Sequence, residues 1–283
     1  MLPVTRKMLR LLIISTSIYL GFVAVMFFKQ RSLLYLPGNN GLTTGQADAL
    51  LLKKWPDDIQ YRGYLHDPAD AQRTIVVFHG NAGEAAHRTY YLDTLAVTRA
   101  RIILVEYPGY GQRTGSPTEK LLVNDAKATL EMASDAFPHE PLLIIGESLG
   151  AGVASGAIAD TTTGIQGLIL ITPWDSLTNL ARTHYRFLPV RWLLLDRYDN
   201  ISNLARFRGP KAIVLAGKDA IVPVEHGNQL FKNIPSIKAR FMLDQAQHNN
   251  WLGYVNDQWW LEIMTFLSEN TTVDTENRRP TGK

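Results

Sequence analysis

The chain has 283 residues, 46% of them hydrophobic and 19% charged, which excludes a disordered polymer and allows one α/β domain with a large buried core. It contains no cysteine, which excludes disulfides, thiolate metal sites and a cysteine nucleophile. The net charge of +3 is uneven: residues 1–31 hold Arg6, Lys7, Arg10, Lys29 and Arg31 and no acid, or +5, leaving −2 for the remainder. No basic stripe interleaved with aromatics marks a nucleic-acid surface.

Between Arg10 and Lys29 run eighteen uncharged residues, LLIISTSIYLGFVAVMFF. Wound as a helix they span about 27 Å, close to the roughly 30 Å of a hydrocarbon core. Ser15, Thr16 and Ser17 can bond back to helix carbonyls and are tolerated in lipid. A cleaved signal peptide has a shorter apolar region and a small-x-small cleavage site. This run ends instead in Met26, Phe27, Phe28 and Lys29, so residues 1–31 read as an uncleaved single-pass anchor. More basic residues precede the run than follow it, which places the N-terminus in the cytoplasm and the main domain on the extracytoplasmic side.

Next come six short apolar runs that read as strands: TIVVF (Thr74–Phe78), IILVEY (Ile102–Tyr107), LLIIGE (Leu142–Glu147), GLILI (Gly167–Ile171), AIVLAG (Ala212–Gly217) and ARFML (Ala239–Leu243). Continuous apolar runs suit strands buried on both faces of a parallel sheet. Helical patterns alternate with them. One opens at SPTE, where Ser116 is the expected cap, Pro117 suits the first turn and Glu119 completes a capping box. The alternation predicts a mostly parallel, doubly wound α/β domain over residues 32–268. Residues 172–210, rich in Trp, Tyr, Leu and Arg, interrupt it as a candidate helical cap. Residues 269–283 are polar and predict a disordered tail.

Within LLIIGESLGAG, strand gives way to helix at Ser148. A tight turn there lifts the hydroxyl above the carboxyl edge of the sheet. Gly146 and Gly150 let strand and helix cross closely, and the helix N-terminus supplies free N–H groups beside the serine. A serine needs a base, and the base an orienting acid. His248, in LDQAQHNN just beyond the last strand, is the expected base. Asp219, in AGKDAIVP, is the expected acid, with Asp175 in TPWDS the runner-up, read otherwise as a helix cap. The order Ser, Asp, His is that expected for a nucleophile on such a turn. His226 is expected to start a helix and His79 to hold its loop by hydrogen bonding. His66, His87, His139 and His184 are assigned surface or structural roles, and Asp244 and Asp257 are read as surface charges. The backbone N–H groups of Leu149 and of Asn81, in FHGNAG, are the expected oxyanion donors. GYGQRTG (Gly109–Gly115) misses the dinucleotide fingerprint and reads as a loop, no P-loop or H-E-x-x-H occurs, and no cofactor or metal is implied.

Together FHGNAG, EYPGYGQRTGSPTE, GESLGAG, GKDAIVP and HNN resemble the α/β-hydrolase superfamily. The nearest resemblance is to small, N-terminally anchored α/β-hydrolase domain-containing proteins related to the serine aminopeptidase S33 and bud-emergence groups. It covers about residues 60–268. It implies an α/β-hydrolase fold with Ser148 as nucleophile, Asp219 as acid, His248 as base, and Asn81 and Leu149 at the oxyanion. The chain departs at Arg113 or Thr114, where a serine often stands, and at Glu84, which replaces a frequent asparagine; both changes are expected at the rim of the pocket. The implied activity is hydrolysis of carboxylic esters or thioesters, of acyl or lipid substrates, through an acyl-enzyme. Phe187, Leu188, Trp192, Leu193, Leu194 and Leu195 would face an acyl chain, and Arg182, Arg186, Arg191 and Arg197 anionic head groups. A peptidase sharing the triad and a catalytically silent binding protein are the alternatives. Sequons stand at Asn200 and Asn270.

Overall fold

The computed structural model describes residues 3–160, 164–235 and 237–276. Its main sheet has eight strands. They are β1 (Leu52–Trp55), β2 (Gly63–His66), β3 (Arg73–Phe78), β4 (Ala100–Val105), β5 (Leu142–Glu147), β6 (Ile165–Ile171), β7 (Lys211–Ala216) and β8 (Lys238–Leu243). The spatial order is β1-β2-β4-β3-β5-β6-β7-β8. The β1–β2 and β2–β4 pairs are antiparallel and the rest are parallel. All six strands read from the sequence are present. The β1–β2 hairpin is an addition: its strands are four residues each, and β1 carries two exposed lysines, so it lacks the continuous apolar signature.

Alternation along each strand feeds two cores. Val76 and Phe78 of β3, Ile144 of β5, Leu168 and Leu170 of β6 and Leu215 of β7 face one side. Ile75 and Val77, Leu143 and Ile145, Ile169 and Ile171, and Val214 face the other. Each such side chain is worth about 1.5–3 kcal/mol of burial, so a one-residue slip in register would exchange the two cores wholesale. Helices α2 (Glu119–Ala136) and α3 (Leu149–Ile158) cover the first face through Leu122, Leu130, Val153 and Ala157. The helix Asp257–Glu276 covers the second through Trp260, Ile263 and Leu267.

The insertion between β6 and β7 contains helices α4 (Leu177–His184), α5 (Val190–Leu193) and α6 (Asn200–Leu204). After β7 comes α7 (Val224–Asn233), and α8 denotes Asp257–Glu276. At the other end, α1 is the long N-terminal helix Pro3–Leu34; within it Arg6–Leu34 is long and apolar enough to cross a membrane.

Two local expectations are corrected. Thr118, not Ser116, caps α2, its side chain accepting from the Leu121 N–H at 3.1 Å. Glu119 closes no capping box: its carboxylate accepts from the backbone N–H groups of Arg197 and Tyr198 and so ties α2 to the cap. Residues 269–276 continue α8, and Thr271 donates to the Gln166 carbonyl at the start of β6. Residues 277–283 lie outside the described residues.

Candidate active site

Ser148 lies between β5 and α3 with φ 53° and ψ −111°. Positive φ in a residue with a Cβ is strained and persists only where surrounding structure enforces it. The enforcement is visible. The Ser148 N–H donates to the Ile171 carbonyl at the end of β6. A Cβ on Gly150 would overlap the Phe78 carbonyl, and one on Gly146 would stand 2.6 Å from the Gly150 carbonyl. The residue between, Glu147, accepts from the phenols of Tyr90 and Tyr91 at 2.8 and 3.1 Å. Burial first, and the charge of Glu147 second, push both phenols above their ordinary pKa, so they remain neutral donors.

Asp219 and His248 come from the ends of adjacent strands. The loops after β7 and β8 are knit together: Gly217 donates to the Leu243 carbonyl and Lys218 to that of Ala246. A side chain at Gly217 would strike the Asp244 backbone, so glycine permits the crossing. Asp219 Oδ1 accepts from the N–H groups of Ile221 and Val222 at 2.9 and 2.7 Å, leaving Oδ2 to meet His248 Nδ1 at 2.7 Å. His248 Nε2 stands 2.9 Å from Ser148 Oγ. With Nδ1–H donating to the carboxylate, Nε2 is the acceptor facing the hydroxyl. All three residues are buried.

The loop after β3 passes close by: a Cβ on Gly80 would be 3.7 Å from that of Ser148. Asn81, next in line, is held through its carbonyl and its side-chain amide nitrogen. Its carbonyl accepts from Leu36 N–H and from the Tyr110 phenol, and its side-chain amide donates to the Leu34 carbonyl. Leu149 is the first residue of α3, so its N–H has no partner within the helix. His79 does hold this loop, its Nδ1 lying 2.7 Å from the Gly80 carbonyl. Among the described residues no three His, Asp or Glu side chains group as metal ligands do.

Comparison with known proteins follows the same lines. Residues 73–206 match the family model described as alpha/beta hydrolase fold. An uncharacterized protein of Mycobacterium tuberculosis is 29% identical over 238 residues, covering 81% of this chain and 84% of that one. The lysophosphatidylserine lipase ABHD12 of Danio rerio is 26% identical over 247 residues, covering 76% of this chain and 64% of its own. Among solved structures, the Pyrococcus furiosus esterase Pf2001 superposes with a TM-score of 0.62 at 15% identity, over 84% of this chain and 98% of that one. The chain has the α/β-hydrolase fold.

In this α/β-hydrolase fold the other acid candidate has its own histidine. Asp175 Oδ1 meets His226 Nδ1 at 2.8 Å, and His226 Nε2 stands 3.0 Å from the Thr183 hydroxyl. Burial pushes the Asp175 pKa up, but hydrogen bonds from His226, from the Asn179 side chain and from the Ser176 N–H outweigh it and hold the carboxylate below its ordinary range. Ser176, not Asp175, caps α4. His226 lies in the first turn of α7, as expected from the sequence.

Glu84 and Arg113, the two departures, are both held by hydrogen bonds. Glu84 is buried and accepts from the N–H groups of Asn40 and Gly41. Arg113 forks onto Asp125 at 2.6 and 2.7 Å, and Asp125 also receives Arg62. Glu84 thus holds the Asn40–Gly41 backbone, and Arg113 joins Arg62 on one carboxylate. His184 takes a structural role, its Nε2 lying 2.8 Å from the Ile221 carbonyl and linking α4 to the Asp219 loop. His87, His139, Asp244 and Asp257 are exposed. Asn200 is fully buried, its amide donating to the Trp174 carbonyl, so that sequon offers no acceptor in the folded chain.

Sequence reasoning missed the support given to Glu147 by Tyr90 and Tyr91, and the grip of Leu34 and Leu36 on Asn81. The adjacent tyrosines in RTYYLD carried no signal of their partner. The Asn81 contacts join segments about 47 positions apart, with no motif to announce them.

Proposed function

We propose that the chain is a serine hydrolase of carboxylic esters or thioesters, acting through an acyl-enzyme on acyl or lipid substrates. The observation that carries this reading is the hydrogen-bonded line from Ser148 Oγ through His248 to Asp219, at 2.9 and 2.7 Å. The line begins on a strained turn at a helix N-terminus. Ser148 Oγ attacks the acyl carbonyl as His248 Nε2 takes its proton, and Asp219 stabilises the imidazolium. The N–H groups of Leu149 and Asn81 receive the oxyanion; the Gly80 carbonyl, in the same peptide unit as the Asn81 N–H, lies 2.7 Å from His79 Nδ1, and the bonds to the Asn81 carbonyl and side chain hold the residue on its other side. His248 returns the proton to the leaving alcohol or thiol, and water activated by the same imidazole releases the acid.

The N-terminal helix serves as a single-pass anchor, and the greater number of basic residues before it sets the hydrolase domain on the extracytoplasmic side. Residues 172–210 act as the cap.

The test is hydrolysis of p-nitrophenyl butyrate, an acyl thioester and an aminoacyl amide by the full chain, beside Ser148→Ala. Ester and thioester turnover that vanishes in the variant supports the proposal. Turnover of the amide alone would replace it with a peptidase, and esterase activity persisting in Ser148→Ala would remove the nucleophile.

A further inference from the structure

The N-terminal helix is bound to the cap along much of its length. Tyr19 donates to the Phe187 carbonyl at 2.8 Å. Gln30 donates to the Leu193 carbonyl and accepts from the Leu195 N–H. Arg31 pairs with buried Asp196 at 2.9 Å, and the Tyr35 and Tyr198 hydroxyls meet at 3.0 Å. From Tyr19 to Leu34 is about 22 Å of helix, so the cap climbs beside the apolar run to its middle.

The cap tip is built for apolar surroundings. Phe187 and Trp192 are 86% and 83% exposed, unusual for large apolar side chains in water. The backbone here is largely satisfied without solvent. Leu188, Val190, Trp192 and Leu194 donate within the cap, Pro189 has no N–H, and Tyr19 and Gln30 serve Phe187, Leu193 and Leu195. Irregular backbone is tolerated at membrane depth only when neighbours satisfy it in this way. Tyr19 and Gln30, two polar side chains of the N-terminal helix, thereby satisfy cap backbone. Exposed Arg186 and Arg191 flank the tip, placed to snorkel toward head groups.

Between the end of the helix and the cap lies an apolar cavity of about 160 Å³. Met26, Phe27 and Leu34 of the helix form one wall, and Ala181, Leu188 and Leu193 of the cap the other. It is smaller than the roughly 300–1,000 Å³ of a pocket for a bulky ligand and suits a slender chain. Leu34, in the helix wall of the cavity, is the residue whose carbonyl Asn81 grips, and Asn81 adjoins the Ser148 turn through Gly80.

Building on the ester-hydrolase reading, we infer that this cavity holds the acyl chain of a membrane lipid, which enters sideways from the leaflet into which the Phe187–Trp192 tip dips. The anchor is then part of the substrate site. Chain occupancy is reported to the oxyanion loop through Leu34 and Leu36.

The test uses the full chain in phosphatidylcholine vesicles with brominated acyl chains. Trp192 contributes quenchable fluorescence at acyl depth, so Trp192→Phe should remove a large share of the bromine quenching; identical quenching in both proteins overturns the inference. In unbrominated vesicles, Ala181→Trp should lower the ratio of kcat/KM for lauroyl over butyryl esters by about tenfold or more. A ratio within about twofold of wild type overturns it. Labelling by a fluorophosphonate verifies that Ala181→Trp is folded, and Leu193→Trp, filling the cavity from α5, gives the same readout if it is not. Wild type that hydrolyses both esters while the variants keep its ratio defeats the cavity alone. Wild type that hydrolyses neither defeats the ester-hydrolase reading, and this inference with it.

Discussion

The molecule contains two Asp–His pairs at the carboxyl edge of one sheet, alike in their first bond and different beyond it. Asp219–His248 and Asp175–His226 are 2.7 and 2.8 Å across, both buried. His248 faces a serine forced into positive φ at the start of a buried helix, beside a loop whose peptide is held from two sides. His226 faces Thr183, inside α4, whose hydroxyl is shared with the Asn179 carbonyl one turn back. A hydroxyl next to an imidazole is therefore not enough. The serine has free helix N–H groups next to it where an oxyanion would form; the threonine sits where the first turn's N–H groups have been passed. We read the first pair as chemistry and the second as a rivet holding the cap helix to α7.

The largest effect that sharpens this contrast is on the first pair. Ser148→Ala or His248→Ala should lower kcat by about 10⁶-fold, and the double variant should lose little more, because the two act as one unit. Asp219→Asn should cost about 10⁴-fold, since its amide would favour the wrong tautomer of His248. Steady-state ester hydrolysis measures all of these. Additive losses in the double variant would contradict a shared proton path.

The second pair should instead show itself in stability. His226→Ala leaves buried Asp175 without its main donor, and urea unfolding should register a loss of about 1–3 kcal/mol, with turnover largely kept. A collapse of turnover in folded protein would erase the distinction between the pairs. A milder effect concerns pH. The folded pKa of Asp175 lies below its unfolded value of 3.8. Its contribution to stability is therefore fully present above the unfolded value and is lost as pH falls through the folded one. Thermal melts below about pH 4 should decline less steeply in Asp175→Asn than in wild type. Equal slopes would show that the carboxylate carries no such linkage. Smallest of all, Thr183→Val should cost about 0.5–1.5 kcal/mol.

Much of this arrangement could be read before any coordinates. The central strands are buried on both faces, so they appear as unbroken apolar runs, and Ser148, Asp219 and His248 follow the ends of β5, β7 and the half-exposed edge strand β8. The contrast between the Asp pairs could be read only in part. Both acids follow strands, and chain order alone made Asp219 the better choice without revealing that Asp175 had a histidine of its own. The β1–β2 hairpin stayed hidden because short, half-exposed edge strands lack a run. The cap of α2 was misplaced by two residues because Ser116 and Thr118 both precede Glu119, and the choice depended on the Asp196 and Tyr198 contacts that draw Glu119 away. The clasp of Leu34 on Asn81 joins an apolar helix to a glycine-rich loop, and neither sequence carries the other's signature.

The most direct test of the difference between the two pairs is the position of a fluorophosphonate adduct, mapped by mass spectrometry of the digested full chain. The adduct should lie on Ser148, be absent from Ser148→Ala and persist in Thr183→Ala. An adduct on Thr183 or any other residue, or equal labelling of Ser148→Ala, would contradict the assignment of the chemistry to the Asp219–His248 pair.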